Sequence, residues 1–178
     1  VIVWNARWEY DKQPQVVMAA LEYLARQGID FRLIVTGEHI DPVADDLVAA
    51  RQRWAAQTIH WGYAVNRAAY LHLLQQADIV VSAAIQEFFG LAILEAMACG
   101  CVPVLPARLN YPDLIPPEWY ADCLYADDTE LPTTLARTVA RLPELAQRDW
   151  AALAEPYCWP NLAPRYDAVL ADLAAPVS

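Results

Sequence analysis

Short, unbroken apolar runs alternate with helix-period segments along most of the chain. The runs cover residues 1–4, 31–36, 58–61, 78–83, 101–105 and, briefly, 123–125. Each is continuous rather than alternating, which is how strands read when both of their faces are buried. Between them, residues 14–27, 42–57, 66–76 and 90–99 carry helical periodicity. Pro14 suits a first helical turn, Gly28 a helix end, and Asp41 a cap ahead of Pro42. Repeated strand–helix–strand units predict a doubly wound α/β domain, a parallel sheet with helices on both faces. After Cys123 the pattern turns helical, with helices expected at 130–142 and 143–155, split at Pro143, and at 164–173. The link PYCWPNLAP, residues 156–164, is too proline-rich to be helical throughout.

Composition narrows the options. Hydrophobic residues make up 57% of the chain, enough for a substantial core. No apolar run approaches the roughly 20 residues that span a bilayer, so a membrane role is not expected. The net charge of −10 disfavours broad contact with phosphate backbones, DNA included. Eleven of the twelve cations are Arg, and the single Lys is Lys12. The chain opens on VIVWNARW without an initiator Met or signal-peptide pattern, so a fragment of a longer cytoplasmic protein is expected. Cys99, Cys101, Cys123 and Cys158 lie in apolar contexts that suit buried thiols. His39, His60 and His72 show no spacing that would complete a zinc site with the C-G-C pair, so no metal is expected.

The stretch QEFFGLAILEAMACGCVPVLP, residues 86–106, poses a sharper question. Glu95 is the only charge between Phe88 and Met97 in what reads as a core helix, and an unpaired buried carboxylate costs several kcal/mol. It needs a partner, either a protein cation or a ligand. Glu87 falls in the loop after the fourth strand. Gly90 then opens the next helix, so the N–H groups around Phe89, Gly90 and Leu91 form an anion site at the carboxyl edge of the sheet. A glycine there would let a phosphate approach without a Cβ in the way. Arg7 and Lys12 follow the first strand directly and reach the same edge, where two cations suit a diphosphate. The alternatives are a solvated loop for Arg7, Lys12 and Glu87, and a protein partner for Glu95.

These residues carry a family resemblance. The E-x7-E spacing from Glu87 to Glu95, with ARWEYDK after the first strand, resembles the carboxyl-terminal domain of family 4 retaining glycosyltransferases of the GT-B fold. The family's G-R-x4-K loop is matched by Arg7 and Lys12, with Ala6 in place of its Gly. WNARWEYDKQP, TGEH, IHWGY and LNYPDLIP narrow the likeness to the tRNA-queuosine α-mannosyltransferase group, which carries mannose from GDP-mannose to queuosine in a tRNA. The resemblance implies a Rossmann-like donor-binding domain over 1–155. It also implies a final link and helix over 156–178 that pack towards an amino-terminal domain, through which tRNA would be met.

Carried over, Glu95 binds the ribose and Glu87 the donor sugar, while the Phe89–Gly90–Leu91 backbone takes the phosphates. Arg7 and Lys12 stabilise the departing diphosphate, without a metal or other cofactor and with retention at the anomeric carbon. A departure is RLNYPDLIP, which stands where many members carry G-G-x-x-E, so Asn110, Tyr111 and Asp113 become candidate sugar contacts. His60, Trp61 and Gly62 lie at another strand end and either flank the base or form a packed turn. A non-enzymatic nucleotide-binding module, a sugar-nucleotide epimerase and a family 4 transferase with another donor and acceptor are the rival readings.

Overall fold

A computed structural model describes residues 1–38 and 45–174. Six parallel strands form one sheet: β1 (Ile2–Asn5), β2 (Leu33–Thr36), β3 (Thr58–Gly62), β4 (Ile79–Val81), β5 (Val102–Pro106) and β6 (Leu124–Tyr125). Their order is β3-β2-β1-β4-β5-β6. Each expected strand is present, with ends moved by one or two residues. Strands β1, β2, β4 and β5 are buried along their whole length, as the unbroken apolar runs require. Strand β3, at one edge of the sheet, is the exception and is half-buried throughout.

The crossovers are α1 (Pro14–Arg26), α2 (Asp45–Arg53), α3 (Arg67–Leu74) and α4 (Leu91–Ala98). Right-handed connections put α1 and α2 on one face and α3 and α4 on the other. Helix α1 begins at Pro14 and closes at Gly28, whose φ of 70° lets the Gly28 and Ile29 amides bond back to Ala25 and Leu24. Asn66 caps α3 by accepting from the Ala69 amide at 2.9 Å. The expected cap Asp41 and the first residues of the 42–57 helix lie outside the described residues, as does His39.

Two short helices, α5 (Tyr111–Leu114) and α6 (Tyr120–Cys123), lie between β5 and β6, and α7 (Leu131–Leu145), α8 (Trp150–Ala154) and α9 (Trp159–Ala174) follow β6. Helix α7 packs on α1, and α8 on α4. The expected break at Pro143 is absent: α7 continues through it and stops at Leu145. So near the end, a missing N–H removes one bond, and the break falls instead before Asp149, which caps α8. The last helix likewise starts at Trp159 rather than at 164. Pro160 occupies the first turn, where the amide would be unpaired anyway, and α9 accommodates Pro164 on an exposed helix. No described residue of α9 is buried. The expectation of four buried cysteines also needs correction: Cys158, at the turn before α9, is exposed and Cys99 half-exposed, while Cys101 and Cys123 are buried.

Candidate functional site

In a sheet of this order, β1 and β4 are neighbours whose following helices leave in opposite directions, which opens a crevice beyond their carboxyl ends. A cavity of about 420 Å3 lies there, lined by Arg7 and Lys12 from the β1–α1 loop, by Glu87 and Phe89 from the β4–α4 loop, and by Leu91 to Ile93 of α4. That size is ordinary for a small-molecule site.

The two loops are stitched together. The Ile85 amide donates to the Asp11 carbonyl at 2.8 Å. Lys12, its side chain only 11% exposed, donates to the Gln86 carbonyl at 2.7 Å and lies 3.3 Å from Glu87 Oε2 and 3.2 Å from Asp11 Oδ2. The other Glu87 oxygen accepts from the Phe88 amide at 3.0 Å. Neither residue is therefore a solvated loop side chain. Arg7 is half-exposed and pairs with Glu9 at 3.2 Å. Both cations thus already face carboxylates, so the crevice is less electropositive than Arg7 and Lys12 suggest alone. Behind the β4–α4 loop, Arg108 donates to the Ala83 and Ala84 carbonyls and pairs with Asp128, bracing the segment that leads to Glu87.

Gly90 precedes α4 in a left-handed conformation (φ 81°), and no side chain caps that helix. The first-turn residues Leu91 to Ile93 line the cavity, so the helix presents its N-terminal donors and the positive end of its dipole to any anion there. A Cβ at Gly90 would point at Leu114 and Tyr111, 3.4 Å from each, on the side of α5. The positive φ by itself calls for glycine at this position.

Glu95 has protein partners. Arg67 Nη1 lies 2.6 Å from Oε1, and the Tyr70 hydroxyl donates to Oε2 at 2.9 Å. The Glu95 side chain stays 30% exposed, so it is not the fully buried charge that its sequence context suggests. It lines a second cavity of about 340 Å3 that shares Thr36, Gly37 and Tyr70 with the first. The two glutamates therefore stand in adjoining parts of one crevice.

Other expected residues divide. Tyr111 is buried in the wall of the first cavity, its hydroxyl 2.9 Å from Ser82 Oγ, and burial pushes the phenol up to about 12. Asn110 donates to the Phe89 carbonyl at 2.5 Å and so supports the loop instead of lining the cavity. Asp113 is exposed on α5, outside both cavities. Trp61 and Gly62 line neither of them. Trp61 packs edge-on against Trp8 at 6.0 Å, and His60 Nε2 contacts the Gly62 carbonyl at 2.9 Å, which fits the packed turn. Among the described residues, no group of three or more His, Cys, Asp or Glu could hold a metal ion.

Sequence reasoning missed three elements of the site. Asn5, at the end of β1, donates to the Tyr70 hydroxyl and to the Ala92 carbonyl, joining β1, α3 and α4. Arg67 and Tyr70 carry no motif, and only the fold brings them to Glu95. Gly37 ends β2 against the β1–α1 loop, where an added Cβ would lie 1.8 Å from the Ala6 carbonyl oxygen. Its signal was a glycine directly after a strand in TGEH.

The family model for glycosyl transferases group 1 matches residues 1–142. The tRNA-queuosine alpha-mannosyltransferase of Drosophila melanogaster is 35% identical over 117 residues, 66% of this chain and 31% of that protein. The GDP-mannose-dependent alpha-(1-6)-phosphatidylinositol dimannoside mannosyltransferase of Mycobacterium tuberculosis is 30% identical over 178 residues, 98% of this chain and 44% of the relative. The chain thus spans less than half of these relatives. Sucrose-phosphate synthase from Thermosynechococcus elongatus superposes with a TM-score of 0.76 at 19% identity, over 97% of this chain and 45% of that one. The catalytic domain of cholesterol-alpha-glucosyltransferase from Helicobacter pylori gives 0.72 at 21%, over 88% and 98%. The fold is that of GT-B enzymes.

Proposed function

Because the chain belongs to the group 1 glycosyl transferases, we propose that it is the donor-binding domain of a retaining mannosyltransferase that uses GDP-mannose. In the whole protein the acceptor is queuosine in a tRNA. The observation that carries this reading is the convergence of Arg7, Lys12, Glu87 and the uncapped start of α4 on one cavity, with Glu95 in the adjoining one. The names of the relatives support the finer choice, since one specifies GDP-mannose and the other queuosine in tRNA.

In this reading the ribose hydroxyls meet Glu95 and the diphosphate lies on the N–H groups that follow Phe89 and Gly90. Glu87 takes a hydroxyl of the donor sugar. Charge that develops on the leaving diphosphate is met by Arg7, Lys12 and the α4 terminus, and preorganised donors of this kind are worth about 3–4 kcal/mol each in a transition state. These groups do the work for which other enzymes use a metal. Residues 1–155 form the donor domain. The link from residue 156 and helix α9 serve to meet an acceptor domain, a role that suits a helix in which no described residue is buried. The tRNA is held by that other domain, in keeping with a net charge of −10 here, and the enzyme works in the cytoplasm.

Calorimetric titration of the chain with GDP, UDP and ADP, without added metal, tests the proposal. Selective GDP binding weakened by Arg7→Ala is the expected result. Selectivity for UDP would discard the GDP-mannose and queuosine assignments.

A further inference from the structure

Both oxygens of Glu95 are met from one helix, Oε1 by an ion pair and Oε2 by a hydrogen bond whose direction is fixed. An amide NH2 only donates. Asn5 Nδ2 is anchored by the Ala92 carbonyl at 2.7 Å and gives its other hydrogen to the Tyr70 oxygen at 3.1 Å. The single Tyr70 proton is then left for Glu95 Oε2, 2.9 Å away. On the same face of α3, three residues earlier, Arg67 Nη1 takes Oε1 at 2.6 Å, while its guanidinium lies over the Tyr70 ring, 5.3 Å from the centroid. Burial, and then the neighbouring carboxylate, push the Tyr70 phenol well above its ordinary value, so it remains a donor.

A carboxylate offers about four lone-pair sites, two on each oxygen. Tyr70 uses one on Oε2, and Arg67 faces Oε1 as an ion pair. One remains on each, at a carboxylate that is 30% exposed in the second cavity. Two acceptors side by side, on a carboxylate held at both oxygens, suit a vicinal cis-diol. Arg67 also offsets the Glu95 charge, which would otherwise repel a nearby diphosphate.

We propose that Arg67, Tyr70 and Asn5 are positioning residues that present Glu95 to the 2′- and 3′-hydroxyls of a ribose, so that the chain selects ribonucleotides over nucleotides lacking that diol. The proposal rests on the ribose reading of Glu95. A purely structural link between α3 and α4 would weaken the binding of both kinds of nucleotide alike.

The test takes the tightest binder among GDP, UDP and ADP and measures its affinity beside that of its 2′,3′-dideoxy form. Wild-type chain is expected to prefer the ribonucleotide by roughly tenfold or more, as hydrogen bonds to a charged group allow. Tyr70→Phe and Arg67→Met are expected to bring the ratio down to about twofold or less, because each frees one Glu95 oxygen from its anchor. A wild-type chain without the preference, or without any nucleotide binding, would overturn the ribose reading and this proposal with it. A preference that persists in both variants, with overall affinity lowered, would overturn the proposal alone. Should Tyr70→Phe fail to fold, Arg67→Met, at a side chain 60% exposed, carries the test.

Discussion

The Lys12 ammonium lies 3.3 Å from Glu87 Oε2 and joins the loops that follow the two central strands. It sits among the Glu87 carboxylate, Asp11 and the Gln86 carbonyl with little access to water.

Lys12→Met keeps most of the side-chain volume and removes the charge. It leaves Asp11 and Glu87 facing each other across a poorly hydrated gap, so a loss of about 1–3 kcal/mol in stability is expected. Nucleotide affinity should fall with it, because the loop that carries Glu87 loses its anchor. Thermal melts and calorimetry on one sample check both effects, and unchanged values in each would show the pair to be incidental.

Glu95→Ala should abolish nucleotide binding and leave the fold intact. Arg67 is largely exposed and returns to water, while Tyr70 keeps Asn5 as a partner. The expected cost in stability is about 1 kcal/mol, from one unmatched hydroxyl. Circular dichroism and titration separate the two quantities, and full affinity in the variant would remove Glu95 from the site.

Gly37→Ala is expected to be far more damaging than its single methyl suggests. The new carbon would fall 1.8 Å from the Ala6 carbonyl oxygen, a main-chain atom that cannot swing aside. A loss of about 3 kcal/mol or more, or failure to fold, is the expected outcome. A melting temperature within a degree or two of wild type would show that the β1–α1 loop yields easily.

Alkali should unfold the chain in a broad step above pH 9. Burial raises the thiols of Cys101 and Cys123 from 9.0 to about 12 and the Tyr111 phenol from 10.0 to about 12. Each group holds its proton more tightly in the folded chain, so its contribution is complete below its unfolded value and is lost as pH climbs to about 12. Denaturation midpoints between pH 8 and 12 check this, and Cys101→Ala should make the decline less steep.

The strand framework was legible because parallel strands covered on both faces must be apolar at every position, which leaves an unbroken trace. The helix start at Gly90 was legible too, from a glycine a few residues after a strand, and Leu91 to Ile93 beyond it line the crevice. Pro143 and Pro164 misled because a proline is read as a stop, whereas its effect depends on how many hydrogen bonds remain beyond it. The partners of Glu95 were not legible at all. Arg67 and Tyr70 lie on α3 and Glu95 on α4, and only the packing of those helices on one face of the sheet brings them together.

The abutment of Gly37 on Ala6 bears on how such a crevice can diverge. Where main chain meets main chain, the shape of the floor is set by the path of the polypeptide and is closed to adjustment by side-chain exchange. A lineage that changes its ligand must then do so from the walls, where Phe88, Tyr63 and Arg67 project into solvent and can be replaced without moving the sheet.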